Sequence, residues 1–481
     1  MNSKITIALS DLKSALPGFS RIISKRSSLP ALGCVLFERL NDGVRLTASN
    51  LDDYASTILP VSEPGEFKAL LPFEALLKLA KTVPASARLT LASSGNEVRC
   101  TYLLGGTTLT ESIAIQPWSE FPLPLEQAFG ETVSVGEEFK SALRSAFECA
   151  SENDTRQVLN HAYLDVSNPK AHYVVATNGR RLFSANSFQL GLKESLIFPR
   201  RKFLLWKEFM NEGDWAISLA PPLEKEAAGW IKVQSKNWTL VTRQIDGTYP
   251  DWHSVIPSSK LLKTTIQLSP EAADFIRLAV PQLPADDQLN YPVTVTALKP
   301  GSLLLTAKAG DQEVSLPVTG VSVLGVPARC RLNREFLLQG VQMGLRTIEI
   351  FDPQQPIVFS QGGRRFLAAP LRLDEPEPAS APPSDPSAEP EPLPNEGPEQ
   401  MKTLNRIEST QIVTNEPAAP ASAFLQLKDQ VEKVKDTLKE ALADLNETLK
   451  LLAQAQKEKK ATEREIESIR ETLQSLQRIR I

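Results

Sequence analysis

Short runs of alternating apolar and polar residues, divided by turn formers, fill most of positions 1–373. Period two is the pattern of strands that bury one face. Three times the alternation passes directly into helical spacing: Ile5-Thr-Ile-Ala-Leu-Ser-Asp-Leu-Lys-Ser-Ala-Leu16, Val133-Ser-Val-Gly-Glu-Glu-Phe-Lys-Ser-Ala-Leu143 and Thr265-Ile-Gln-Leu-Ser-Pro-Glu-Ala-Ala-Asp-Phe275. The string Lys-Ser-Ala-Leu stands at both 13–16 and 140–143. An apolar strand closing in a small polar turn recurs at 46–50, 174–178 and 304–308, and a short helix is predicted at 72–77, 199–205 and 332–338. Ala48 precedes Ala176 by 128 residues, and Ala176 precedes Ala307 by 131. The pattern therefore predicts an α+β body of three copies of one unit, each with two helices and several strands. The boundaries fall near 125 and 260, giving units 1–125, 126–260 and 261–373.

The pattern changes twice after Leu373. Residues 374–422 hold 11 of the 36 prolines and no aromatic residue, a composition that predicts a disordered, extended linker. Within it, Leu404 to Val413 reads as ordinary linker, with a short binding segment as the alternative. From 421 to 481 there is no Gly or Pro. Apolar residues then keep a heptad, with Phe424, Val431, Leu438, Leu445, Leu452, Ile466 and Leu473 at a, and Leu427, Val434, Ala441, Ala455, Ile469 and Leu476 at d. Lys459, Thr448 and Thr462 interrupt the stripe. The heptad predicts a coiled coil over 423–481, roughly 85–90 Å long if continuous. A hairpin turning at Lys457–Lys460 is the alternative.

Charge sharpens this division. The 481 residues carry a net −4, but the average combines +3 over 1–373, −8 over 374–422 and +1 over 423–481. Only the sign of the body bears on nucleic acid. No apolar run reaches the ~18 residues of a membrane helix, and the chain opens directly on a strand pattern, so neither a signal peptide nor a membrane partner is expected. Four scattered Cys and three His offer no disulfide framework or metal motif, and a reducing, cytoplasmic compartment is expected. No phosphate-binding glycine loop, nucleophile elbow or HExxH helix is present. Asp52-Asp53 and Asp286-Asp287 are neighbours in turns, poorly placed for paired acid/base work, and Cys149 reads as a small core residue. No enzyme activity, cofactor or metal is expected.

Repeated units with open sheet edges associate edge to edge, and a symmetric pair of such arcs closes into a ring, sheets outside and helices inside. Basic residues recur on the predicted helices of all three copies: Lys13, Lys78 and Lys81 in the first; Lys140, Arg144, Arg200, Arg201 and Lys202 in the second; Arg277 and Arg334 in the third. Facing an inner hole, they would attract phosphates without reading sequence.

The residues then carry a resemblance. Leu29-Pro-Ala-Leu-Gly-Cys-Val-Leu36, Gly43-Val-Arg-Leu-Thr-Ala-Ser-Asn-Leu51, Arg156-Gln-Val-Leu-Asn160, Val175-Ala-Thr-Asn-Gly-Arg-Arg-Leu182, Ile245-Asp-Gly-Thr-Tyr-Pro-Asp-Trp252 and Ala369-Pro-Leu-Arg-Leu373 stand in the order and spacing of one family. Residues 1–373 resemble the bacterial DNA polymerase III beta subunit, the beta sliding clamp. The resemblance implies three tandem clamp domains and a head-to-tail homodimeric ring that encircles duplex DNA. It implies a processivity factor in DNA replication, associated with the nucleoid, whose partners are the polymerase catalytic subunit and the clamp loader. It also implies a partner-peptide groove between the second and third units. The matching positions are Leu159, Thr177, Gly179, Arg181, Leu182 and Pro250, followed by Val255, Leu367, Pro370, Leu371, Arg372 and Leu373. For DNA it adds Arg26 and Asn153. The sequence departs from the family at Asn178, Arg180, Ser254 and Ala369, and above all in the 108 residues after Leu373. Those residues leave from beside the groove and are expected to recruit a coiled-coil partner or to regulate the groove. The alternative reading is a clamp-like adaptor that acts mainly through its coil.

Overall fold

The computed structural model describes residues 4–24, 29–61, 65–122, 128–222, 228–298 and 301–373. The linker 374–422, the heptad region 423–481 and Arg26 lie outside the described residues.

Each of the three alternating-then-helical segments is a strand followed by a helix. Lys4–Ala8 leads into α1 (Leu9–Phe19), Val133–Val135 into α3 (Glu137–Cys149), and Thr264–Leu268 into α5 (Pro270–Ala279). Ser269 caps α5 by accepting from Ala272 N at 3.1 Å, with Pro270 at the first helical position, where a missing N–H costs nothing. The second helix of the first copy, α2 (Phe73–Thr82), and that of the third, α6 (Arg334–Gln342), pack against α1 and α5 respectively. Asn333 caps α6 through Glu335 N at 2.7 Å, so residues 332 and 333 end a strand and the helix begins two residues later than the spacing predicts.

The helix expected at 199–205 is absent. Its backbone makes turns, closed by Leu205 N to Arg201 O (3.2 Å) and Trp206 N to Phe203 O (3.1 Å), and the helix that follows, α4, is only Lys207–Met210. Phe203, Leu204 and Trp206 bury into an aromatic cluster with Trp238, which turns satisfy as well as a helix would.

The strands form four antiparallel sheets. Two of them run across the sequence boundaries predicted near 125 and 260. In the eight-stranded sheet, Asp53–Leu59 pairs with Trp238–Arg243, with Ala55 opposite Leu240. In the nine-stranded sheet, Arg181–Ala185 pairs with Arg364–Ala368, with Leu182 opposite Leu367. The first seam is pinned by the buried Asp53 carboxylate, which accepts from Thr242 Oγ1 at 2.6 Å and pairs with Arg201 Nε at 3.0 Å. Nearby, α1 comes so close that a Cβ on Gly18 would stand 2.6 Å from Trp238 Cη2. The four-stranded sheet is bounded by Thr107–Ala114 and Lys4–Ala8, and the five-stranded sheet by Gln312–Val318 and the two-residue strand Pro370–Leu371. Among the described residues, no helix is long and apolar enough to cross a membrane.

Candidate functional site

The central strands of the nine-stranded sheet are apolar on both faces. Val174, Ala176, Phe183, Phe359, Phe366 and Ala368 point into the main core. Their sequence neighbours Val175, Leu182, Val358 and Leu367 point the other way and gather Leu159, Tyr249 and Trp252 into a second cluster. Period two dictates this: a strand with no polar alternation must find cover twice. The second face is covered only in part, and a cavity of about 260 Å³ remains over it.

Leu159, Thr177, Gly179, Arg181, Leu182, Pro250, Val255 and Leu367, all expected from the sequence, line this cavity. Arg180, Asp251, Trp252, Pro356 and Ala369 line it too and were missed. Arg180, Asp251 and Trp252 adjoin expected residues within the same motifs; nothing in the pattern of Asp352-Pro-Gln-Gln-Pro356 marked Pro356. Four expected residues do not reach the wall. Pro370 and Leu371 pair as a strand with Leu332 and Arg331, which draws the chain onto the edge of the five-stranded sheet and carries Arg372 and Leu373 with it.

A tight turn shapes one rim. Thr177 Oγ1 donates to Arg181 O at 2.6 Å and accepts from Gly179 N at 3.0 Å. Asn178 Oδ1 accepts from Arg180 N (2.9 Å) and Arg181 N (3.0 Å), the work an Asp carboxylate would do, so Asn178 leaves the turn intact. Gly179 sits at φ +86°, where a side chain would be strained. Arg181 is already engaged: it donates to Gln339 Oε1 (2.7 Å) and Glu148 O (2.8 Å) and lies over Phe336. On the floor, Trp252 Nε1 donates to Asp165 Oδ2 at 2.9 Å. Burial would raise the Asp165 carboxyl, but hydrogen bonds from Ser167 and Trp252 outweigh it and hold the group below its ordinary range.

The basic residues divide sharply. Lys81, Lys202, Lys78 and Arg277 are exposed, although Lys78 pairs with Glu111 at 3.8 Å and Arg277 with Asp274. Arg144 and Arg200 are half-buried, and Arg200 pairs with Glu152 at 3.6 Å. Lys13 spends its ammonium on Val83 O at 2.9 Å, and Arg201 is held in the Asp53 seam. Asn153 caps the 3-10 turn Asp154–Asn160 through Thr155 N. Two expectations fail. Lys140 is 1 % exposed and donates to Met210 O and Gly213 O, each at 2.7 Å. Arg334 is 6 % exposed and donates to Leu283 O and to Pro284 O. Both cations are themselves buried, are engaged by main-chain carbonyls and have almost no surface to offer a phosphate.

His161 lies beside this basic group. Its Nδ1 accepts from Arg200 N at 3.0 Å, and burial, with Arg201 and Arg200 adding, lowers it from 6.5 to about 4. The folded chain thus keeps His161 neutral where the unfolded chain protonates it. The stability this contributes is complete above about pH 6.5 and is lost as pH falls toward 4. Urea unfolding across that window should lose part of its pH slope in His161→Gln; an unchanged slope would refute the assignment.

All four cysteines are free and buried, and burial pushes Cys34 up to about 11 and Cys100, Cys149 and Cys330 up to about 12. Thiols so protonated are poor nucleophiles. Among the described residues, no group of three His, Cys, Asp or Glu could hold a metal ion.

Comparison with known proteins gives this geometry its kin. No family model matches the chain. A beta sliding clamp of Caulobacter vibrioides is 23 % identical over 389 residues, covering 77 % of this chain and 100 % of the relative. One from Vibrio cholerae is 24 % identical over 349 residues, covering 70 % and 88 %. Among solved structures, the DNA polymerase sliding clamp of Bacillus subtilis superposes with a TM-score of 0.67 at 17 % identity, covering 78 % of this chain and 100 % of that one. The DNA polymerase III beta subunit of Bartonella birtlesii, solved with griselimycin bound, gives 0.66 at 20 % identity over the same shares. Sequence similarity and fold agree over the same span: in both, the chain is similar to the beta sliding clamp, the DNA polymerase III beta subunit.

Proposed function

We propose that the chain is a working DNA sliding clamp, a non-catalytic processivity factor. Residues 1–125, 126–260 and 261–373 act as three tandem domains, and two copies close head to tail into a ring around duplex DNA, helices inward. The observation that carries this reading is the contrast between paired and unpaired sheet edges. Two sheets cross the unit boundaries through the Asp53–Leu59 and Arg181–Ala185 seams, while Thr107–Ala114 and Gln312–Val318 are, among the described residues, the longest of the strands bonded on one side only. Near these edges, exposed Leu103 and Leu109 at one end and Phe275 and Leu278 at the other supply apolar surface for a second copy. Exposed edges of this kind call for a partner strand.

The apolar cavity over the nine-stranded sheet is the groove that takes a partner peptide, the polymerase and the clamp loader among its sources. The exposed Lys78, Lys81, Lys202 and Arg277, with Arg144 and Arg200, are the phosphate-facing set that supports sequence-independent DNA binding. The heptad sequence at 423–481, behind the acidic stretch 374–422, supports a further coiled-coil partner.

Topology is what a ring adds to mere affinity, and it sets the test. Loaded by a clamp loader onto nicked circular DNA, the protein should stay bound through gel filtration in high salt, and linearising the DNA should release it. Equal retention on circles and linear fragments would overturn the reading.

A further inference from the structure

The groove reading leaves open what distinguishes the peptides this chain accepts. Resting on that reading, we infer that Arg180, with Arg156 beside it, selects partner peptides that carry a carboxylate side chain next to their apolar anchors.

Arg180 is exposed and lines the cavity. Its backbone is held from both sides, because its N–H donates to Asn178 Oδ1 at 2.9 Å and its carbonyl accepts from Ala369 N at 2.8 Å across the seam. The guanidinium therefore springs from a fixed point on the rim. A Cβ placed on the neighbouring Gly179 would stand 3.1 Å from Arg156 Nη1, so two guanidiniums border the same turn. Gly179 is what lets them approach.

Among the described residues, no ion pair involves Arg156 or Arg180. Asp251 also faces the cavity, but its Oδ1 accepts from His253 N at 3.1 Å and it pairs with neither arginine. Arg181, one residue on, differs: its guanidinium is committed to Gln339 and Glu148 and fixes the wall. The groove is thus apolar along its floor and carries unneutralised positive charge at one rim. A carboxylate brought there forms charge-assisted, planar hydrogen bonds in a partly dehydrated setting, stronger than neutral ones. A peptide with a cation at that position is rejected by the same charge.

The test uses the full chain and fluorescence anisotropy. The probes are capped decapeptides with one pair of aliphatic anchors, in which a single Asp is moved position by position, each compared with its Asn isostere. At low salt, one position is expected to show Asp bound about 10-fold more tightly than Asn. Arg180→Gln should reduce that ratio to about 2-fold or less, and Arg180→Glu should invert it, each ratio being taken against the Asn peptide on the same variant. Arg180 is exposed, so these variants should fold normally. Equal affinities for Asp and Asn at every position overturn the inference and leave the groove standing. So does discrimination that survives Arg180→Gln. Failure of every peptide to bind overturns the groove reading itself and the inference with it.

Discussion

Replacing Lys140 with methionine is expected to destabilise the fold by about 1 to 3 kcal/mol and to leave the DNA affinity of the folded protein unchanged. From sequence, Lys140 sits on a basic helix like its neighbours and should face phosphate. In the fold, its Nζ is aimed inward from α3, donating to Met210 O and Gly213 O at 2.7 Å, with Glu137 at 2.9 Å and the Trp215 ring 5.9 Å away. The Met210 carbonyl, at the end of α4, is buried, whereas Gly213 is an exposed residue whose carbonyl can turn to water. Methionine fills the channel but donates nothing, and the orphaned buried carbonyl of Met210 costs about 1–3 kcal/mol. Glu137 is largely exposed, so its ion pair adds little. Urea unfolding, with duplex binding measured below the transition, checks both halves. A loss of DNA affinity with stability intact would return Lys140 to the phosphate-binding set.

Val255→Asp should weaken peptide capture by the groove about 100-fold without unfolding the protein. Val255 lies on the 3-10 turn His253–Val255, 48 % exposed, and lines the cavity above the Leu159, Leu182 and Leu367 floor. An apolar anchor docking there covers Val255, a burial of about 1.5–3 kcal/mol for a side chain of this size. A carboxylate in its place loses that term and must also be desolvated beneath the docking apolar anchor. Because the side chain is half in water in the free protein, stability should change by no more than about 0.5 kcal/mol. Leu261→Asp is the control: it is equally exposed, on the next 3-10 turn, Ser259–Leu261, and away from the cavity wall. The measurement is anisotropy with a labelled apolar peptide. A loss of binding shared equally by both variants would sink the assignment of the cavity as the docking site.

Much of the fold was written locally. Three strand-to-helix segments fell where alternation gave way to helical spacing, since both periods follow from backbone geometry alone. Asn178-Gly179 marked its own turn, because glycine accepts a positive φ and the Asn side chain closes the loop. Ser269-Pro270 and Asn333 marked helix starts for similar local reasons.

The site was legible only in pieces. Eight of the cavity's lining residues were named in advance from their motifs, but the short apolar runs within 173–177, 181–185 and 364–368 did not by themselves say that a second face existed. That required the seam, in which Arg181–Ala185 pairs with a strand some 180 residues away in the chain and two outward rows join into one surface. Basic residues were the harder case. A lysine's charge is visible in sequence, but whether its flexible stem leads to water or into the core depends on what lies across from it. Lys81 and Lys140 read alike, and the carbonyls of Met210 and Gly213 separate them.

By itself, then, the sequence determined the three strand-to-helix segments, the local turns and caps and the charge of each segment. These are properties of neighbours along the chain, set by periodicity and composition. Only the tertiary structure decided which sheet edges pair and which stay free, which apolar face is left partly uncovered, and which cations remain available. Each of those depends on groups brought together from distant positions, and burial converts an ordinary side chain there into either a structural partner or a site.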